Sequence, residues 1–223
     1  AYDGAGAVYV YKHRRRAWRL VQTIVGNGSD GLGADLALDG NRFLVSAAGR
    51  AFVFKRGRGG VWSQSAELDV GALPQDAFQY LALDGPRAAV GEAGQPRTVA
   101  VFRKAGQSWR RVQTLESPVP TGENSDFGEA VSLLGDVLAI GDPEARKGSE
   151  CSGLAHVYDF AGGQWAHRQT LAIEEGCWGY ASLGYALAMD GAWLAVGAPH
   201  YRAEGAIIVY REVPAVMKDS RLR

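Results

Sequence analysis

The 223-residue chain, 47% hydrophobic, is long enough for one large or two small domains and too apolar to be disordered. Lys plus Arg and Asp plus Glu both number 24, so no overall charge draws the protein to nucleic acid or to an anionic membrane. No apolar run approaches the roughly 20 residues of a membrane helix, and the opening AYDGAGAVYV lacks the basic start and apolar middle of a signal peptide.

Thirty glycines and six tryptophans beside two methionines point to many tight turns and short strands rather than long helices. The first element alternates up to Tyr11, turns through KHRRRA and continues as a strand opened by Trp18. Residues 36 to 47, LALDGNRFLVSA, read as two strands about an Asp-Gly turn, followed by strands ending at Phe54 and opened by Trp62. The same sentence recurs as LALDGPRAAVGE with Phe102 and Trp109, then as VSLLGDVLAIGD with Tyr158 and Trp165. It recurs once more as LAMDGAWLAVGA with Tyr210, which no tryptophan follows. The turn glycines Gly40, Gly85, Gly135 and Gly191 lie 45, 50 and 56 residues apart. Four strands in a period of that size are the signature of propeller blades, and the period-two alternation argues against a helical solenoid.

The reading is an all-β protein, a β-propeller of four-stranded antiparallel blades with four to five blade equivalents. A single domain is expected over residues 1–211, with a partial blade at 1–25, blades at about 32–70, 77–116 and 127–173, and a partial blade at 183–211. Residues 212–223 form a tail. Trp18, Trp62, Trp109 and Trp165 are expected in equivalent outer strands, each packing on its own blade or the next.

These residues resemble the FG-GAP repeat proteins, whose blades also form the head of integrin alpha chains. Phe127 and Gly128 match the first piece of that pattern, with softened copies at Leu32-Gly33 and Leu183-Gly184. Gly197, Ala198 and Pro199 match the second, Gly141-Asp142-Pro143 nearly so, and the unit around Ala77 and Phe78 has lost both. The resemblance implies a ring of seven blades. The chain is therefore either a segment of such a ring, or its N-terminal strands close a ring of four or five blades. It also implies calcium loops between strands one and two, but LDGN, LDGP, LLGD and MDGA are too tight to supply about six to eight oxygen ligands. No metal and no cofactor is expected.

Strand alternation sends the tight turns, including Arg14, Arg15 and Arg16, to one face and the long loops to the other. Long loops on a rigid scaffold are where binding groups are displayed. Trp178, Tyr180, His200, Tyr201 and Arg202 fall there with Glu174, Glu175, Asp142, Glu144 and Arg146. Aromatics with arginine suit a protein contact centre. His13, His156 and His167 read as structural. The expected function is a noncatalytic module for protein–protein interaction or adhesion, or an accessory subunit of a larger assembly. The alternatives are carbohydrate binding, with Trp178 and Tyr201 as stacking platforms, and a glycan-cleaving enzyme. No nucleophile elbow, zinc spacing or phosphate loop is present, so no catalytic residue is named. Cys151 and Cys177, both on the long-loop face, are expected to form a disulfide, which with the sequon at Asn27 favours an extracellular or luminal location.

Overall fold

The computed structural model describes residues 4–28, 31–71, 79–92, 97–119, 125–146, 151–173 and 179–211. Apart from one 3-10 turn at Tyr201–Ala203, its regular structure is all β. The N-terminal hairpin pairs β1 (Ala7–Arg14) with β2 (Ala17–Val25). A first full blade follows as β3 (Leu36–Asp39), β4 (Arg42–Ala47), β5 (Arg50–Arg56) and β6 (Trp62–Leu68). The second comprises β7 (Gln79–Asp84), β8 (Arg87–Glu92), β9 (Thr98–Ala105) and β10 (Ser108–Leu115). The third comprises β11 (Ala130–Leu134), β12 (Val137–Arg146), β13 (Cys151–Ala161) and β14 (Gln164–Leu171). A strap, β15 (Gly179–Leu183), joins the start of β13 in parallel. The C-terminal blade holds three strands, β16 (Ala186–Asp190), β17 (Trp193–Ala198) and β18 (Ala206–Arg211). Blades of sequence-adjacent antiparallel strands are thus arranged as in a propeller.

Four apolar clusters lie between successive sheets, and each draws residues from both sides of its junction. The third strand of each full blade turns alternate small residues toward the following blade. Ala51 and Val53, then Val99 and Val101, then Ala155 and Val157 are all buried. Their counterparts in β18, Ile207 and Val209, are 75% and 57% exposed, because among the described residues no further blade lies against that face. At the other end Leu36 and Leu38 are exposed whereas their counterparts Leu81 and Leu83 are buried beneath β4 and β5.

Every fourth strand that pairs with a third carries one extra residue. The ladder skips Val21, Ser65, Val112 and Arg168. Such a bulge reverses the side chains that follow it. Tryptophan at the strand start therefore points to the preceding blade, and Leu68, Leu115 and Leu171, six residues on, point to the following one. Of the two packings expected for these tryptophans, the one on their own blade holds and the one on the next does not. Trp62 and Trp165 are buried in their own blade and against the preceding one, not the next. Trp18 in the equivalent strand is 68% exposed, with no preceding blade beside it among the described residues.

The bulge also aims a glutamine. Gln22 donates through Nε2 to the carbonyl of Trp62 and accepts from its N–H, both at 2.8 Å. Gln113 clamps Trp165 in the same way at the same distances. The Asp-Gly turns are linked from one blade to the next. Asp39 accepts from the Gly85 N–H (2.8 Å) and Asp84 from the Gly135 N–H (2.6 Å).

The Phe-Gly and Gly-Ala-Pro pieces meet at the blade junctions. Gly33, Gly128 and Gly184 donate to Ser46, Gly141 and Gly197 at 2.8 to 3.0 Å within their own blades. Across the junction a Cβ on Gly91 would lie 2.0 Å from the carbonyl oxygen of Gly128, and one on Gly141 would lie 2.0 Å from that of Gly184. Both obstacles are backbone, so neither can swing aside. Gly141→Ala should lower stability by about 3 kcal/mol or more, measured by urea unfolding, whereas Gly106→Ala, which meets no neighbouring atom but has positive φ, should cost only about 1 kcal/mol. Equal losses would show that the close approach is not what demands glycine at 141.

Candidate binding face

The first strands β3, β7, β11 and β16 stand beside one another in turn. Their N-terminal ends, the ends of the second strands and the starts of the third strands emerge on the long-loop face. Tyr80 is the second residue of β7 there, Arg97 precedes β9, Asp126 and Glu129 flank Phe127 and Gly128, and Tyr185 follows Gly184.

Arg97 ties this group together, with Nη2 2.6 Å from Asp126 Oδ1 and Nη1 3.1 Å from Glu129 Oε1. One guanidinium between two carboxylates leaves net negative charge, to which exposed Glu144 adds. Burial pushes the Asp126 carboxyl above its ordinary value, and Glu144 and Asp142 push the same way, opposed by Arg97. Glu129 is raised by burial and then by Asp126, again against Arg97. The Tyr80 phenol is raised by burial, then by Glu129 and Tyr185, so it stays a neutral donor at physiological pH.

Several residues expected at the site are gathered at the rim of the same face. Tyr180 lies in β15 and is 67% exposed. The β17–β18 connection turns over beside this strap. His200 donates its N–H to the Ala181 carbonyl (3.3 Å) and its Nδ1 lies 3.2 Å from Ser182 Oγ. Tyr201 packs on the apolar cluster shared by the third and C-terminal blades, and the Arg202 guanidinium carbon stands 5.1 Å from the Tyr201 ring centre. Arg202 has φ of 50°, a left-handed conformation held by the turn in which Gly205 donates to the Tyr201 carbonyl at 2.8 Å.

Asp142 has another place. It is fully buried at the end of the β12 core segment, where its carboxylate accepts from Ser117, Ser125 and the Asp126 N–H at 2.9 to 3.3 Å. His156 Nε2 lies 3.8 Å away, and a further link runs from its Nδ1 through Thr170 Oγ1 to His167 Nε2, each step 3.0 Å. Asp142 thus braces the Asp126 segment rather than meeting solvent. Burial and the neighbouring His156 lower the His167 pKa. Arg146 ends β12 opposite Ser152, and Cys151 opens β13 opposite Gly179. Asn27 is exposed after β2. Trp178, Glu174, Glu175 and Cys177 lie outside the described residues. Among the described residues no group of three or more His, Cys, Asp or Glu is placed to hold a metal ion.

Sequence reasoning missed Tyr80, Arg97, Asp126, Glu129 and Tyr185. A signal for two of them existed, since Glu129 and Tyr185 each follow the glycine that leads into a first strand.

No protein-family model matches the chain and no curated protein matches it. Solved structures do. A putative 6-phosphogluconolactonase of Bacteroides uniformis aligns over 96% of this chain and 63% of its own, with 14% identity and a TM-score of 0.62. A second, from Bacteroides fragilis, aligns over 92% and 60% with 16% identity and a TM-score of 0.55. A chain in the complex of S. cerevisiae Dbp5 bound to Nup159, Gle1, IP6 and ADP aligns over 90% and 49% with 8% identity and a TM-score of 0.50. At these identities the likeness is one of fold, and the chain spans less than two thirds of each. The protein is similar in architecture to larger propellers. Among the described residues no helix is long and apolar enough to cross a membrane.

The raised carboxyls have a definite sign. Where a folded-state pKa exceeds the unfolded one, the native protein holds the extra proton, so stability falls as pH rises through that window and stays lower above it. Glu129→Gln should therefore be more stable than the parent at pH 7 and lose that advantage as pH drops below the ordinary glutamate range. Thermal unfolding across pH 4 to 8 checks this, and a variant less stable at pH 7 would show that the Arg97 pair outweighs burial.

Proposed function

We propose that this protein is a noncatalytic interaction module of the FG-GAP type that binds a protein partner through its long-loop face. The observation that carries the reading is the pairing of exposed aromatics with an acidic cluster. Tyr180 and Tyr185, 67% and 58% exposed, stand on the face that holds Asp126, Glu129 and Glu144 around Arg97. Tyrosines bury large area at low entropy cost, and unbalanced carboxylates favour a partner that brings lysine or arginine. Asp126 and Glu129 are already engaged by Arg97, which suits recognition better than proton transfer. Adhesion or service as an accessory subunit would both use such a face.

Partner capture from native extract, with quantitative mass spectrometry, tests this reading. Tyr185→Ala combined with Glu129→Lys should reduce recovery of the specific partner at least tenfold, while Arg14→Ala with Arg15→Ala on the opposite face should not. Loss only with the arginine variants would move the site to the basic hairpin. Saturable binding on a glycan array would favour the carbohydrate reading, and turnover in a hydrolase panel the enzyme.

The same proposal places the protein in an oxidising compartment through a Cys151–Cys177 disulfide. Supporting it, β13 and β15 run side by side with Cys151 opposite Gly179, two positions after Cys177 in sequence. Alkylation of the native, unreduced protein should leave the intact mass unlabelled, and two labelled thiols would remove both the bond and the location.

A further inference from the structure

Two blades bury a carboxylate at the same point of the repeat and surround it with different cations. Seven positions after the turn glycine stand Ala47, Glu92, Asp142 and Ala198. On the third strand, paired with the residue five positions after that glycine, stand Phe52, Ala100, His156 and Ile208. In the second blade a permanent cation holds the carboxylate. Arg111, two positions after Trp109, places Nη2 2.6 Å from Glu92 Oε1 and Nη1 3.4 Å from the Thr114 hydroxyl. In the third blade the two matching positions of the outer strand carry His167 and Thr170. Exposed His167 has Nε2 3.0 Å from Thr170 Oγ1, which lies 3.0 Å from His156 Nδ1. His156 is fully buried, and its Nε2 has no hydrogen bond but stands 3.8 Å from Asp142 Oδ2.

We propose that His156 is a pH-dependent counterpart of Arg111. On acidification it takes up a proton by way of His167 and Thr170 and forms an ion pair with Asp142. The pair draws on the carboxylate that braces the Asp126 segment, so the long-loop face changes with pH. The Thr170 hydroxyl has one proton, so it donates to one ring and accepts from the other. Beside an ionised Asp142, neutral His156 is assigned the tautomer that turns Nε2–H toward the carboxylate. Nδ1 then accepts from Thr170, whose oxygen accepts from His167 Nε2–H. A proton arriving at His167 Nδ1 releases the one on Nε2 to Thr170, and the original Thr170 proton passes to His156 Nδ1. One imidazolium results, beside Asp142, and His167 is again neutral. Two imidazoliums with ring centres 6.0 Å apart would repel, and burial followed by neighbouring His156 lowers the His167 pKa, so the pair holds a single proton.

Asp142 Oδ2 also accepts from Ser117 at 3.3 Å and Ser125 at 3.1 Å, while Oδ1 accepts from the Asp126 N–H at 2.9 Å. Movement of the carboxylate toward an imidazolium therefore loosens Ser125 and Asp126. The other titratable groups of the packed elements are accounted for. On β13 the Tyr158 phenol is raised by burial and then by Asp142, so it stays neutral, and Asp159 pairs with Arg168 of β14. Ahead of β11, Asp126 is paired with Arg97 of the second blade. Glu144 in β12 is exposed, and Tyr180 is the titratable residue of β15. Resting on the reading of this face as the site for a basic partner, the switch releases that partner on acidification.

NMR of the full 223-residue chain, labelled with 13C and 15N and titrated from pH 8 to 5, tests the switch across the ordinary imidazole pKa of about 6.5. The His156 ring and the Asp126 amide should shift with a common midpoint. In His156→Phe, the side chain that Phe52 supplies at the matching position, the Asp126 amide should lose that transition while those of the Asp126 and Glu129 carboxyls remain. Thr170→Val keeps the shape but removes the acceptor of His156 Nδ1–H, and should move the His156 midpoint down by about one pH unit, as expected for one hydrogen bond to a charged group. Because no partner enters this measurement, its failure leaves the reading of the face standing. A His156 ring with constant signals, an Asp126 amide that titrates alike with and without His156, or an unmoved midpoint in Thr170→Val would each overturn the proposal, and the first and last decide it even where His156→Phe fails to fold.

Discussion

One extra residue in each described outer strand lets that strand face the blades on both sides of it. A regular strand of seven or eight residues would turn its tryptophan, glutamine and leucine, four and six positions apart, to a single face. The bulges at Val21, Ser65, Val112 and Arg168 break that parity. Trp165 then looks back to the second blade while Leu171 looks forward to the C-terminal one. The outer strands become clasps, and without the bulge the glutamine clamp on the next tryptophan could not be made.

Three kinds of contact share the junction, and their magnitudes differ. Burying a Val, Leu or Phe side chain contributes about 1.5 to 3 kcal/mol, whereas a neutral hydrogen bond such as those of Gln113 contributes about 0.5 to 1.5 net. The apolar clusters therefore supply most of the stabilisation. The clamps and the Asp39–Gly85 and Asp84–Gly135 links instead fix register, since an amide or carboxylate is satisfied at only one sliding position. The glycine contacts set the spacing, because Gly141 and Gly184 bring two backbones closer than any Cβ would allow.

The polar residues at the end of the second strand follow from the same repeat. Ala47 and Ala198 fill this position in the first full and C-terminal blades, and both are buried. In the second and third blades it carries Glu92 and Asp142, and each buried carboxylate has acquired donors. Arg111 and Thr98 reach Glu92 at 2.6 Å, and Ser117, Ser125 and a backbone amide reach Asp142. A carboxylate without such partners would cost several kcal/mol to bury. Asp142 also holds the N-terminal side of Asp126, so the bracing of the core and the electrostatics of the binding face meet at one carboxylate.

What the sequence by itself determined was the repeat: alternation of period two, Asp-Gly turns at fixed phase, and aromatics leading to a tryptophan strand. Those are local properties of the backbone and of burial, so strand order and blade membership were legible without coordinates. The exposed Tyr180 and the Tyr201–Arg202 turn were legible too, as polar and aromatic residues in a connection longer than a hairpin needs. The direction in which Trp62 and Trp165 face was not, because a bulge shows no compositional mark. The burial of Asp142 was not, because a Gly-Asp-Pro triplet reads as a loop while β12 runs on through it. Nor was the meeting of Arg97 with Asp126 and Glu129, which come from different blades and stand 29 and 32 positions along the chain. Only the tertiary structure decided these, since which residues share a face depends on the angle between blades, a sum over many packed side chains that no single segment encodes.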